Sequence, residues 1–235
     1  MGICTLIVNP SSGGEMASSY LELMETQLRN MFEEVTVKET GKQGDAMKFA
    51  YEAAKNGHEA VFCMGGDGTV NDLARALGIP LDPGQAIEMF ETAVLLDLDI
   101  GKVNDRYFVS NVAACAIPEA VEEVSVEQKT KLGPLAYFIE GGKALANQPM
   151  HRFRITVDEE TFTQESPLLL IALTNSIASF EHFMPQAEVD DGKMRMVVFK
   201  EFSLLDSLKI LPQLIMGELK NSDTVIYRTF KHATV

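Results

Sequence analysis

The sequence predicts an α/β fold in two parts, an N-terminal domain built on a parallel sheet and a C-terminal domain that is mainly an antiparallel β-sandwich. Three observations carry this. Through Met64, apolar strand-like runs alternate with helix-like stretches, the signature of a parallel sheet with right-handed crossovers. From His151 onward, strand-like runs recur at short spacing, as in a sandwich. Between them the texture changes near Leu95, which divides the chain into domains at 1–95 and 96–235.

Gly2 to Val8 is a β-branched apolar run and reads as a buried parallel strand delivering Asn9 to one edge of the sheet. Leu21, Met24, Leu28, Met31 and Phe32 keep a three-to-four spacing, so Met16 to Phe32 is an amphipathic helix. Val35 to Lys38 is the second strand. Asp45 is positioned to cap a helix running to Lys55, with Met47, Phe49, Ala50 and Ala53 near its buried side and Asn56-Gly57 ending it. Ala60 to Met64 is the third strand. Asp82-Pro83 opens another helix through Ala86, Ile87, Met89 and Phe90.

Beyond Leu95 the alternation around Asn104-Asp105 predicts a hairpin. A helix is expected over Leu132 to Leu145. Strands are expected at His151 to Val157, Thr161 to Thr163, Leu168 to Thr174 and Lys193 to Phe199. Leu204 to Met216 reads as a helix that Pro212 could kink, and Tyr227 to Val235 as a last strand that stops abruptly.

Chemistry concentrates where the third strand ends. Gly65-Gly66-Asp67-Gly68-Thr69-Val70-Asn71 puts three glycines within four positions, so the backbone can take positive φ and approach a ligand closely. Clustered N–H groups at the carboxyl edge of a parallel sheet favour an anion, phosphate above all. Asp67 would repel a phosphate unless a cation lay between them, so it points to Mg²⁺ or to proton transfer. Asn9-Pro10-Ser11-Ser12-Gly13 and Thr40-Gly41-Lys42-Gln43-Gly44-Asp45 form two further polar turns after the first two strands.

The chain has 235 residues, 46% of them hydrophobic and 23% charged, which excludes a disordered or fibrous polymer. Its formal charge of −14, with no basic run, argues against nucleic acid as a partner and against passive attraction to an anionic bilayer. No run approaches the ~18 to 20 apolar residues of a membrane span, and the first residues lack a signal peptide's pattern, so the expectation is a cytoplasmic protein. Cys4, Cys63 and Cys115 lie in apolar runs and read as reduced structural residues. His58, His151, His182 and His232 lack ligand spacing and read as surface or structural.

Taken in order, Asn-Pro-x-Ser-Gly, Thr-x-x-x-Gly-Asp-Ala and Gly-Gly-Asp-Gly-Thr-Val-Asn resemble the diacylglycerol kinase catalytic domain family. That family includes bacterial soluble lipid kinases and sphingosine kinases and is distantly related to NAD kinases and phosphofructokinases. The resemblance implies that residues 1–95 bind ATP, with Asn9, Pro10, Ser11, Ser12, Gly13, Thr40, Gly66, Asp67, Gly68, Thr69, Val70 and Asn71 around its phosphates and ribose. Asp67 is implied as the catalytic residue that organises Mg²⁺ or the donor phosphates. It implies a structural Mg²⁺ at Glu188, Asp191 and Lys193, held largely by main-chain carbonyls, and a lipid side lined by Phe180 and Phe183 near Thr174-Asn175-Ser176.

The implied activity is transfer of the γ-phosphoryl group of ATP to a lipid hydroxyl, diacylglycerol first, with a role in phospholipid biosynthesis. The protein would touch the membrane surface transiently, and a homodimer is compatible with this. An inactive nucleotide- or lipid-binding homologue, or a kinase of a soluble alcohol such as NAD, are the alternatives. Gly14 departs from relatives that carry a basic residue there. Val70-Asn71 also runs directly into Asp72-Leu73-Ala74-Arg75-Ala76-Leu77-Gly78-Ile79-Pro80, where the family has a helix, a strand and a second turn, Gly-Thr-x-Asn-Asp, of which Asn71-Asp72 would be the remnant. A strand and helix bury too much surface to be dispensable, so the expectation is an intact protein that carries them and extends past Val235 to an Asp-Gly-Glu-like turn supplying a general base.

Overall fold

The computed structural model describes residues 2–10, 16–42, 44–65, 69–114, 148–176, 183–184, 187–200, 210, 213 and 216–235. They group into two compact units, Met1–Leu95 and Leu96–Val235. No helix among the described residues is long and apolar enough to cross a membrane.

The first unit is strand β1 (Ile3–Val8), helix α1 (Met16–Met31), β2 (Glu34–Glu39), α2 (Asp45–Lys55), β3 (Ala60–Met64), α3 (Thr69–Leu77) and α4 (Pro83–Glu88), followed by a 3₁₀ turn, Met89–Thr92. The strands make a parallel sheet in the order β2-β1-β3. β1 is central and nearly all buried, as expected of a strand covered on both faces. One stripe of α1 supplies Met24 and Leu28 to a core shared with Cys4, Leu6, Val8, Val35 and Ile87. Phe62 of β3 extends it, with ring centroids 5.6 Å from Phe32 and 5.5 Å from Phe90. Asp82 caps α4 by accepting from the Gln85 N–H at 2.9 Å, with Pro83 in the first turn.

Three expectations for this unit are corrected. Met47 is 77% exposed and only Ala53 of α2 is fully buried, because the face that meets the sheet is narrow. Cys63 is exposed, since β3 is an edge strand in this sheet. Asn71-Asp72 is no turn. The backbone is helical from Thr69 to Leu77, so the position of the family's second turn lies inside α3.

The second unit opens on a hairpin, β4 (Gly101–Val103) and β5 (Arg106–Phe108), joined through Asn104 at φ +51°. Then come β6 (Asn111–Ala114), which the periodicity did not signal, β7 (His151–Val157), β8 (Glu160–Ser166), β9 (Leu169–Ala172), β10 (Met194–Phe199), a 3₁₀ turn at Leu219–Asn221, β11 (Val225–Phe230) and β12 (Ala233–Thr234). Two antiparallel sheets result, β11-β10-β9-β6 and β12-β7-β8. Ile155 and Val157 of β7 pack with Leu169, Met196, Val198 and Phe230 to fill the space between them. Leu170, Ala172, Val197 and Phe199 point the other way, into a second core with Phe183, Met184, Ala187, Ile210 and Leu219. The larger sheet is therefore covered on both faces, which explains why β10 is almost continuously apolar.

The expected strand over Tyr227 to Val235 is two strands. Asp158, itself at φ +50°, accepts from the N–H groups of Lys231 and His232 and turns the chain between β11 and β12. The helices expected over Leu132 to Leu145 and Leu204 to Met216 lie wholly or mostly outside the described residues.

Candidate functional site

The three parallel strands end level with one another. Val8 pairs with Glu39 on one side and Met64 on the other, so Asn9, Thr40 and Gly65 stand in a row just past the carboxyl ends. The row is tied by one more rung of backbone bonds, Asn9 N–H to the Met64 carbonyl and Thr40 N–H to the Val8 carbonyl, each 2.9 Å. Open α/β sheets place their ligands along this edge.

Gly65 has φ +126°, a conformation that an L side chain would strain. Residues 66–68 separate it from the start of α3 at Thr69, a helix whose first amides have no acceptor in its own backbone. The turn after β2 is closed differently from the sequence expectation. Gly44, at φ +92°, is the residue before α2, and Asp45 is the first helical residue. The Asp45 carboxylate reaches backward, accepting from the N–H groups of Gly41 at 2.9 Å and Lys42 at 3.0 Å. The Gly41 bond, with further help from Lys42 and Lys48, holds its pKa below the ordinary value.

Of the implied nucleotide residues, Asn9 and Thr40 are half-buried at this edge and Pro10 is exposed beside them. Thr69 begins α3, Val70 is 45% exposed, and Asn71 is half-buried in the helix. Ser11, Ser12, Gly13, Gly66, Asp67 and Gly68 lie outside the described residues.

The turn implied for a structural Mg²⁺ shows a different chemistry. Glu188 and Lys193 are exposed. Both oxygens of Asp191 are bound by the Arg195 guanidinium, Nη1 to Oδ1 at 2.9 Å and Nη2 to Oδ2. Oδ1 also accepts the Lys193 N–H at 3.0 Å, while Arg195 Nη1 donates to the Lys193 carbonyl at 3.0 Å. The Val189 carbonyl accepts from the Asp99 N–H at 2.7 Å. Mg²⁺ needs a near-octahedral set of oxygen ligands, several of them usually waters. Here the Asp191 carboxylate and the Lys193 carbonyl are already spent on a fixed cation, and the residues present do not fit the metal.

Arg195 and Asp99 were not singled out from the sequence. A signal existed for Arg195, a lone cation inside the apolar run Met194-Arg195-Met196-Val197-Val198-Phe199, which must find an anion if the strand is buried. Burial also pushes the Tyr227 hydroxyl pKa up, and neighbouring Arg195 opposes the shift. Of the phenylalanines implied for a lipid side, Phe183 is 7% exposed and belongs to the core, and Phe180 lies outside the described residues. Thr174 and Ser176 are buried. Among the histidines, His58 is structural, its Nδ1 lying 2.7 Å from Thr5 Oγ1, whereas His151 and His232 are exposed and His182 is outside the described residues. Burial raises the Cys4 thiol pKa, which suits an inert core residue.

Residues 4–72 match the family model for the diacylglycerol kinase catalytic domain, and residues 112–235 match that for the YegS C-terminal NAD kinase β-sandwich-like domain. The chain is 31% identical to a diacylglycerol kinase of Staphylococcus carnosus over 254 residues, covering 98% of this chain and 83% of that one. It is 30% identical to a diacylglycerol kinase of Bacillus subtilis over 247 residues, covering 94% and 82%. Both aligned lengths exceed the 235 residues of this chain, so these relatives carry residues that it lacks. A crystal structure of a diacylglycerol kinase from Bacillus anthracis superposes with a TM-score of 0.77 at 21% identity, covering 99% of this chain and 85% of that one, a likeness of fold.

Proposed function

Because the chain belongs to the diacylglycerol kinase family, we propose that it is an ATP-dependent lipid kinase, moving the γ-phosphoryl group of ATP to a lipid hydroxyl, diacylglycerol first. The observation that carries this reading is the level row of Asn9, Thr40 and Gly65 past the carboxyl ends of the three parallel strands, the edge at which open α/β sheets hold their ligands. The acceptor oxygen bonds to the γ-phosphorus, the bond to the bridging oxygen of ADP breaks, and the hydroxyl proton leaves to a base.

Asn9, Pro10, Ser11, Ser12, Gly13 and Thr40 are proposed to surround the nucleotide together with Gly66 to Asn71. Their contribution is positioning, which supplies most of the catalysis in phosphoryl transfer. Asp67 is proposed to orient the donor phosphates through a divalent cation. Mg²⁺ bound with ATP would neutralise charge on the transferring group. Contact with the membrane is proposed to be transient and apolar, because a chain of formal charge −14 gains nothing from anionic headgroups. A homodimer is compatible with this reading.

The test supplies labelled ATP and Mg²⁺ with neutral mixed micelles carrying diacylglycerol, sphingosine or no lipid. Label is expected in the diacylglycerol fraction, with little inhibition by added salt. Label in sphingosine changes the acceptor. Label in added NAD moves the activity to a soluble alcohol, and ATP binding without any transfer makes the chain a nucleotide-binding homologue.

A further inference from the structure

The family resemblance leads one to expect a divalent cation at the turn from Glu188 to Lys193, yet the turn already contains a positive charge. We propose that the Arg195 guanidinium takes that cation's structural role, closing the turn from within the chain, so that no divalent metal binds there. This goes beyond the kinase reading and does not depend on which acceptor the enzyme uses.

Four observations support it. The guanidinium meets Asp191 with both terminal nitrogens, the fork geometry that a carboxylate matches best. Nη1 also takes the Lys193 carbonyl, so the carboxylate and a main-chain oxygen that could serve a metal are turned onto one side chain. The Arg195 side chain is only 4% exposed and that of Asp191 16%, so water does little to screen the charge from an ion placed beside it. Finally, Arg195 projects from β10, where its partner on β9 is Ala172, a side chain small enough to leave room on that face.

Two further bonds hold the turn. Gly192 stands at φ +67°, its N–H donating to Asp99, and the Asp99 N–H in turn holds the Val189 carbonyl. A metal ion held at the Lys193 carbonyl would sit beside the guanidinium already bound to that oxygen, and the Arg195 side chain, only 4% exposed, is too buried for water to screen the repulsion well.

The experiment is thermal unfolding of the full chain without nucleotide, in EDTA and in millimolar Mg²⁺, for wild type, Asp67→Asn and Arg195→Lys. The proposal expects a wild-type Tm that is the same in both buffers, or a Mg²⁺ effect that Asp67→Asn removes. It also expects Arg195→Lys, which keeps the charge but loses the fork, to fall by about 5 °C in both. A Mg²⁺-dependent rise that Asp67→Asn retains overturns the proposal, as does an Arg195→Lys protein that melts with wild type. Mn²⁺ bound to Asp67→Asn, counted by electron paramagnetic resonance, gives a second readout. No bound ion supports the guanidinium, and one bound ion overturns it.

Discussion

The amide of Gly192 donates to the carboxylate of Asp99 at 2.6 Å across 93 residues of sequence. This bond and its companion from the Asp99 N–H to the Val189 carbonyl fasten the segment before β4 to the turn before β10. Asp99→Ala should therefore destabilise the chain by about 1 kcal/mol in urea unfolding, modest because water can reach the released amide. Asp99→Asn, which keeps an acceptor oxygen, should lose less. Equal losses for the two would show that the acceptor oxygen is not what matters.

Asp45 provides a pH test of the turn beside the proposed nucleotide edge. Its folded pKa is lowered, so its contribution to stability is fully present above the ordinary value of 3.8 and disappears as pH falls through the folded value. Asp45→Asn removes the contribution at all pH values. The Tm difference between wild type and Asp45→Asn should be largest near neutrality and close in strong acid; a gap that widens in acid would contradict this sign.

The N-terminal core gives a packing contrast within one helix. Leu28 is fully buried on α1, whereas Leu23 of the same helix is 45% exposed. Leu28→Ala should cost about 2–5 kcal/mol through lost burial and the cavity left behind. Leu23→Ala should stay within about 0.5 kcal/mol. Chemical denaturation of the pair decides whether the buried stripe of α1 is the one described.

The proposed role of Asp67 is tested by Asp67→Asn, which conserves size and removes charge. Turnover in the diacylglycerol micelle assay should fall by about two or more orders of magnitude, with circular dichroism and Tm unchanged. A variant that folds and turns over normally would remove Asp67 from the catalytic machinery.

Much of the fold was legible in the sequence, and the reason is local. Ile3–Val8 and Ala60–Met64 announce themselves through apolar runs of strand length, and Glu34–Glu39 through Val35 and Val37 alternating with polar residues. Asn56-Gly57 ends α2, with Gly57 at φ +76°, and Asp82-Pro83 starts α4, because caps and breakers act within a few residues. The short strand Asn111–Ala114 escaped notice because four residues hold too little periodicity.

By itself, the sequence determined the alternation of strands and helices, the order of the three polar turns and hence the edge on which Asn9, Thr40 and Gly65 gather. These follow from side-chain period and backbone preference, which each segment carries with it. The tertiary structure alone decided which anion Arg195 meets, that Asp99 reaches Gly192, that Phe183 is core, and that Cys63 and Met47 face solvent. Such outcomes depend on strand register and on which face a distant element covers, and neither is encoded in the few residues around the side chain concerned.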